Sequence, residues 1–550
     1  MAEIAANEVG GDCSAATDHQ PSAAVAVQAP PRSPLGILRQ IGPGLIVAGS
    51  IVGSGELIGT TKTGAEAGFW LLWLILIGCV IKVFVQVEFG RYSLVSGRTT
   101  MSGLAEVPGP RIRGRGNWLV WYWFVMWLAA VGQLGGVAGG VGQALAISWP
   151  ITHEGRTVNQ FVDCQTQLQV CRAELRAVQL RAAAGDGAAA AQTARLIREI
   201  ARLETSLRQQ TDAWTAAVGA ERFQQLGGKP PPACDEYLWA AIMGIGTSVL
   251  LVVGRYRLVQ LVATAMVCGF TLVTLANLGF LQANPSWRVT AAEFVQGFSF
   301  RLPPDSPTAL ATALATFGII GVGATELLFY PYWCLEKGYA RFSGPRDQTT
   351  EWAVRAKGWM RVMRCDAWCS MVLYTFATLA FYLLGAAVLG RTRLNPAGKE
   401  MIRTLAVMYE PVFSEWASAL FLAGAFAVLY STYFVSCAGH SIVLSDALGV
   451  VGLAADNEPA RNRRIKIFSG LLPLVCVLLY VLFPHPTKLV LLSGAMQAIM
   501  LPMLASAALY FRYRRNDPRL TPSRLWDIFL WLSAVGMLVA GLGVLVSQLF

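Results

Sequence analysis

Two glutamates in apolar stretches are the residues best placed to do chemistry. Glu56 lies in residues 52–57 (Val-Gly-Ser-Gly-Glu-Leu) and Glu326 in residues 322–327 (Val-Gly-Ala-Thr-Glu-Leu), so Val-Gly-x-x-Glu-Leu occurs twice. Hydrocarbon does not solvate a carboxylate, and an acidic residue inside a membrane segment therefore indicates a functional site. Glycines weaken a helix, and interrupted segments at matching places in two halves of a transporter mark its substrate site. The pattern predicts that both carboxylates face one central chamber.

Small and polar residues from these two segments and from one later span complete the predicted substrate site. The predicted substrate-binding residues are Gly53, Ser54, Glu56, Thr325, Glu326, Tyr330 and Gln497, with Glu56 and Glu326 as metal ligands. Their ligand atoms are oxygens, which suit hard divalent cations such as Mg²⁺ or Mn²⁺.

Other polar residues within the apolar spans have two interpretations each. Asp366 and His440 are predicted proton-relay residues, with helix capping for Asp366 and packing for His440 as the alternatives. Lys82 is interpreted as a lysine that snorkels to the membrane surface. Glu88 is interpreted as the (i, i+3) partner of Arg91.

The composition is that of a membrane protein with many spans. The chain has 550 residues, of which 54% are hydrophobic and 14% charged, against about 25% charged in soluble proteins. The net charge of +11 is assigned to membrane topology, so we predict no nucleic-acid partner. There is no phosphate-binding loop, no cofactor motif and no other enzyme signature, and we predict a non-enzymatic protein.

Windows of about 20 apolar residues predict about eleven transmembrane helices. Basic residues cluster in alternate loops, which predicts a multi-pass protein of the cell (inner) membrane with a cytoplasmic N-terminus and an extracytoplasmic C-terminus. The predicted divisions are a disordered tail (1–37), helices 1–3 (38–149), an extramembrane insert (150–236) and helices 4–11 (237–550).

The insert at 150–236 has the composition of a helical hairpin outside the bilayer. Residues 158–217 contain no proline, and Gly185-Asp186-Gly187 divides them, which predicts two antiparallel helices on the extracytoplasmic side. Cys164, Cys171 and Cys234 lie in or beside it, and Cys234 is the expected partner if a disulfide forms. Docking of an unidentified partner protein is a further hypothesis.

Several short motifs resemble those of the Nramp family of divalent-metal transporters, in the same order and spacing. The resemblance covers most of residues 38–510 outside the insert. Its segments are Gly42-Pro43-Gly44, residues 64–73, residues 323–325, residues 431–440 and residues 493–502. It implies an all-α, LeuT-like fold of two inverted five-helix repeats, with helices 1 and 6 broken at the centre.

The chain departs from the family at the metal site itself. Gly53 stands where the family has its metal-binding Asp, Glu56 where it has Asn, Leu327 where it has Met, and Phe329 where it has His. The family's ligands therefore do not transfer directly.

These observations favour a secondary transporter of a hard divalent cation that works by alternating access, with proton linkage as a further expectation. Two alternatives stay open: a transporter of an organic solute such as an amino acid, and a non-transporting sensor on the same scaffold. An aromatic wall of Phe329, Tyr330, Tyr332 and Trp333 would support the first of these.

Overall fold

The structure is a computed structural model, and it is almost entirely helical. It describes residues 27–112, 115–183, 187–254, 256–304, 307–413, 416–455 and 457–549.

The elements follow one another with short connections. The first half comprises α1 (Pro34–Gln40), α2 (Pro43–Ile51), α3 (Thr61–Ala67), α4 (Leu72–Ser96), α5 (Thr100–Glu106), β1 (Arg111–Ile112), β2 (Arg115–Asn117), α6 (Trp118–Ser148), α7 (His153–Ala183), α8 (Gly187–Val218), α9 (Ala220–Gln225), α10 (Asp235–Val253) and α11 (Tyr256–Leu281). The second half comprises α12 (Ala291–Gln296), α13 (Pro307–Ile319), α14 (Ala324–Lys337), α15 (Tyr339–Ser343), α16 (Thr350–Leu384), α17 (Met401–Ala406), α18 (Glu410–Phe413), α19 (Ala417–Val450), α20 (Glu458–Leu482), α21 (Pro486–Tyr510) and α22 (Arg524–Leu549). Strands β1 and β2 pair antiparallel.

Short π and 3-10 segments extend several of these helices. The π segments are Val52–Thr60, Gly385–Gly390 and Phe511–Arg515, and the 3-10 segments are Gly398–Glu400, Val407–Tyr409 and Pro518–Leu520.

The predicted number of spans is confirmed. Within the described residues, ten helical segments are long and apolar enough to cross a membrane, and α11 adds the shorter apolar helix Ala265–Leu281. The fold class is therefore an all-α, multi-pass membrane protein. The first span runs without a gap from Pro43 to Ala67, and the sixth, Thr308–Lys337, consists of α13 and α14.

The first span is not broken, which corrects the prediction. Residues Val52–Thr60 join α2 to α3 as a π-helix, and Glu56 lies at its centre. The flanking glycines serve close packing rather than a break: a Cβ at Gly53 would lie 2.5 Å from Thr432 Oγ1, and one at Gly55 would lie 2.6 Å from the Ile319 carbonyl oxygen. Because this stretch stays helical, it presents Glu56 directly to the sixth span.

The sixth span is broken, as predicted. Helix α13 ends at Ile319 and α14 begins at Ala324. Between them Gly321 has φ +55°, a conformation that L-residues with a side chain rarely adopt. The break leaves backbone donors and acceptors without helical partners in the interior of the bundle, where they need other partners.

The predicted disordered tail (1–37) is ordered in its last part, which corrects that boundary. Residues 1–26 lie outside the described residues. Gln28 N donates to the Phe342 carbonyl at 3.1 Å, and Trp359 Nε1 donates to the Gln28 carbonyl at 3.0 Å. Ser33 caps α1 by accepting the Gly36 N–H. The chain is therefore tied to the bundle from residue 28 onward.

The insert contains a long helical hairpin. Helices α7 and α8 run antiparallel, with Arg172 Nη2 2.6 Å from Glu204 Oε1. Ion pairs tether the insert and the start of α10 to the loop before α17, through Lys229 with Glu400 at 2.8 Å and Lys399 with Glu236 at 3.2 Å. A cavity of about 300 Å³ lies among these tethers.

Cys164, Cys171 and Cys234 are free thiols in the part of the chain that the structure describes, so the possible disulfide between Cys234 and one of the other two is not present. Cys164 is buried, and its thiol donates to the Leu203 carbonyl across the hairpin at 3.4 Å. Cys234 is exposed beside the start of α10.

Glu410 makes the stability of this region dependent on pH. Burial raises the pKa of Glu410 to about 7, and Glu174 on α7 adds charge repulsion. Folding therefore favours the protonated carboxyl, so stability is greatest below about pH 4.5 and falls as the pH rises towards 7.

We predict that Glu410→Gln flattens this pH dependence, because the amide cannot ionise. The stability that the unaltered protein loses between pH 4.5 and 8 is about 1–3 kcal/mol. Melting temperatures in detergent at the two pH values measure the effect, and the exposed Glu351→Gln is the matched control. An unchanged slope in Glu410→Gln would contradict the prediction.

Candidate functional site

Glu56 bridges the first span to the break in the sixth. Its side chain is completely buried. Oε1 accepts the Gly321 N–H at 2.9 Å and the Thr378 hydroxyl at 3.1 Å. Oε2 is buried and has no hydrogen-bond partner among the residues that the structure describes. One oxygen of the Glu56 carboxyl group thus satisfies a backbone donor of the break, and the other is a buried polar atom that calls for an explanation.

Lys82 on α4 covers the opposite side of the same break. Its ammonium donates to the Ile320 carbonyl at 2.7 Å and also to the Phe317 carbonyl. These oxygens belong to the C-terminal end of α13, where the helix dipole favours a cation. The snorkelling interpretation of Lys82 is wrong, because the side chain is fully buried in the middle of the bundle.

Glu326 lies in the first turn of α14, where the helix dipole favours an anion. Its Oε2 accepts the Thr325 hydroxyl at 2.8 Å. Lys82 interacts electrostatically with both Glu56 and Glu326. The break therefore has Lys82 in electrostatic interaction with both carboxyl groups, and the meeting of the two glutamates in one chamber stays a prediction.

A chain of polar side chains connects Glu326 to the first span. Thr325 Oγ1 lies 3.2 Å from Gln497 Oε1. Gln497 Nε2 donates to Gln133 Oε1 at 2.6 Å, and Gln133 Nε2 donates to Ser54 Oγ at 2.8 Å. Four spans thus share one buried network, in which the predicted residues Ser54, Thr325 and Gln497 all take part.

Gly53 packs against a neighbouring helix and does not offer a ligand atom to the candidate site. Its N–H donates to Thr432 Oγ1 at 3.0 Å, and the same hydroxyl lies 3.2 Å from the Gly49 carbonyl. This contact fixes the π segment against α19.

Asp366 and Tyr330 form a separate cluster at the start of the first span. The Asp366 carboxylate accepts the N–H groups of Gly42 at 2.8 Å and Gly44 at 2.7 Å. Tyr330 OH lies 3.1 Å from Asp366 Oδ2 and donates to the Met363 carbonyl. Tyr330 is therefore not among the groups around Glu56, which corrects its assignment to the substrate site. The contacts of Asp366 are those of a helix cap, and its proton-relay role stays a prediction.

His440 lies apart from both clusters. Its ring packs edge-on against Phe329 with 4.8 Å between centroids, and near Trp127. Nδ1 is buried, and no described residue forms a hydrogen bond with it. These contacts match the packing interpretation, and the structure does not join His440 to Asp366.

Three residues that contact these groups were not predicted from the sequence, and a fourth, Lys82, was predicted with the wrong role. Thr378 binds Glu56, and Gln133 and Ser493 join the polar network, with Ser493 Oγ donating to Gln133 Oε1 at 3.1 Å. Gln133 could have been predicted from the sequence, because it is a polar amide side chain in a Gly-rich apolar span. Glu88 does pair with Arg91, at 3.1 Å, as predicted.

The site is not a cluster of acidic, histidine and cysteine ligands. Within the part of the chain that the structure describes, no group of three or more such residues is placed to hold a metal ion. A cation bound here would need amide, hydroxyl or backbone oxygens in addition to the two carboxylates.

Comparisons with known proteins agree with the motifs. The family model described as Nramp, natural resistance-associated macrophage protein-like, matches residues 226–547, which is more than half of the chain. No curated protein sequence matches significantly.

Solved structures show the same fold. A structure of the Eremococcus coleocola manganese transporter in complex with an aromatic bis-isothiourea substituted compound aligns with a TM-score of 0.56 and 13% identity, over 96% of this chain and 94% of that one. A mutant of the same transporter aligns with a TM-score of 0.54 and 14% identity, over 95% and 93%.

We predict that Asp366→Asn lowers stability, because an amide cannot accept from both Gly42 and Gly44. Losing a hydrogen bond to a charged group costs about 1.5–3 kcal/mol. Tyr330→Phe removes a single hydroxyl and is the milder control, at about 1 kcal/mol. Melting in detergent compares the two, and a larger loss in Tyr330→Phe would contradict the capping role.

Proposed function

The chain belongs to the Nramp family, and we propose that it is a secondary transporter of a hard divalent metal cation of the Mg²⁺ or Mn²⁺ class. In this proposal Glu56 and Glu326 bind the cation at the break of the sixth span. Family membership supports the transport of a divalent metal, and the similar Eremococcus coleocola protein is named as a manganese transporter.

The observation that carries the proposal is the unpartnered oxygen of Glu56. Burying a polar atom without a partner costs free energy, and such atoms in a native protein call for an explanation. Oε2 belongs to a fully buried carboxylate that is already anchored through Oε1. A cation would supply the missing partner without disturbing that anchor.

The neighbouring donors are oxygens, which supports a hard cation. Gln497 Oε1, Ser54 Oγ, Thr325 Oγ1 and the Ile320 carbonyl lie in the same hydrogen-bonded surroundings as the two carboxylates. Oxygen ligands suit Mg²⁺, Mn²⁺ and Ca²⁺, whereas sulfur ligands favour softer metals. Leu327, where the family has methionine, supplies no sulfur.

The aromatic wall that would favour an organic solute does not assemble around Glu56. Phe329 packs on His440, and Tyr330 binds Asp366. The metal hypothesis therefore still has its two predicted ligands, Glu56 and Glu326. The organic-solute hypothesis no longer has Phe329 and Tyr330 as part of an aromatic wall.

Transport would follow the general scheme for broken-helix transporters. The cation binds near the midplane, and the two repeats expose it alternately to each side. The proposal includes symport of H⁺ through Asp366 or His440. It also includes a location in the inner membrane with a cytoplasmic N-terminus. Accessibility labelling of introduced cysteines would test the orientation.

We predict that Glu56→Gln and Glu326→Gln each lower Mn²⁺ and Mg²⁺ uptake into proteoliposomes by at least about tenfold, which corresponds to ~1.4 kcal/mol. The loss follows because an amide cannot neutralise a divalent cation. Glu66→Gln is the matched control, since Glu66 lies at the end of the same span and pairs with Lys62 at 2.7 Å.

Three outcomes would contradict this function. They are undiminished uptake in both glutamine variants, uptake of neither ion by the unaltered protein, and a metal-dependent melting shift without flux. The last would indicate a sensor, and uptake of radiolabelled amino acids alone would indicate an organic-solute transporter.

A further inference from the structure

Lys82 has a position that the proposed function does not explain. It is a fully buried lysine in the middle of α4, and its ammonium binds the Phe317 and Ile320 carbonyls. A break in a transporter helix normally frees such carbonyls for coordinating ions. Here a side chain of the protein already holds them.

The charged groups around the break also assign a role to Lys82. Glu56 and Glu326 contribute a negative charge each when they are ionised, and Lys82 interacts electrostatically with both. Two ionised carboxylates repel one another in a buried site unless a cation is present. A protonated Lys82 supplies that cation, so with both carboxyls ionised the site without substrate carries one net negative charge instead of two.

We propose that Lys82 is a tethered counter-ion of the substrate site, whose ammonium competes with the transported cation for the broken end of α13. This inference rests on the proposed function. A divalent cation near the glutamates is repelled by Lys82, and it gains the Ile320 carbonyl only if the ammonium moves away. Lys82 thus weakens binding, which a transporter requires because its substrate must also leave.

Lys82→Gln isolates the charge from the hydrogen bonds. Its amide carries no charge but still has N–H donors, on a side chain one bond shorter than that of lysine. We expect the dissociation constant for Mn²⁺, measured by calorimetry on the purified full chain, to fall at least about tenfold, because a close like charge is removed.

Two variants serve as controls. Lys82→Arg keeps the charge and is expected to bind Mn²⁺ with an affinity within about threefold of the unaltered protein, since each factor of ten requires ~1.4 kcal/mol. Lys62→Gln removes a lysine that pairs with Glu66 away from the break, and it is expected to leave the affinity unchanged.

Unchanged or weaker Mn²⁺ binding by a folded Lys82→Gln protein overturns the inference. If this variant does not fold, Lys82→Gln combined with Glu56→Gln restores the net charge of the unaltered site. The double variant is expected to bind Mn²⁺ more tightly than Glu56→Gln alone, and equal or weaker binding overturns the inference.

The two proposals fail in different ways. No Mn²⁺ binding by any variant overturns the proposed function together with the role of Lys82. Binding that Glu56→Gln abolishes and Lys82→Gln does not tighten overturns only the role of Lys82.

Discussion

The interrupted backbone of the sixth span is the constraint on which the rest of the site depends. Ending α13 at Ile319 and starting α14 at Ala324 leaves polar backbone groups without water or helical partners inside the bundle. The structure satisfies them with ionisable side chains: the Glu56 carboxyl group accepts from Gly321, and the Lys82 side chain donates to Ile320. Each charge is thus held by the helix break, and the break in turn is stabilised by the charges.

This arrangement also explains why the two copies of the Val-Gly-x-x-Glu-Leu pattern behave differently. In the second copy Gly323 is the N-cap of α14 and Glu326 occupies its first turn. In the first copy the chain stays helical with π geometry, and Glu56 reaches across to the other span. Glu56 thus reaches the break of the sixth span although its own span is continuous.

The sequence was most informative about features that depend on large free energies of transfer from water into the membrane. Apolar length predicted the spans, and the cost of a buried carboxylate identified Glu56 and Glu326. The sequence did not predict the features that depend on packing between helices. Gly53 and Gly55 were interpreted as helix breakers, yet they allow close contact with Thr432 and Ile319.

Side-chain partners were equally hard to predict. Lys82 was interpreted as a snorkelling lysine although it lies in the middle of α4, and only the fold shows that it faces carbonyls of another helix. Tyr330 follows Glu326 by one turn, yet its hydroxyl reaches Asp366 because α16 packs there. Gln133 was hidden in a Gly-rich span, and its role depends on contacts with Ser54 and Gln497 from distant parts of the chain.

The central claim is that the charged groups at this break define one cation site. Diffraction from crystals grown with Mn²⁺, recorded at the manganese absorption edge, locates the ion independently of the protein density. The account predicts one intramembrane anomalous peak within about 2.5 Å of a carboxylate oxygen from each of Glu56 and Glu326. A peak elsewhere in the bundle, or none at saturating Mn²⁺ with both side chains ordered, would contradict it.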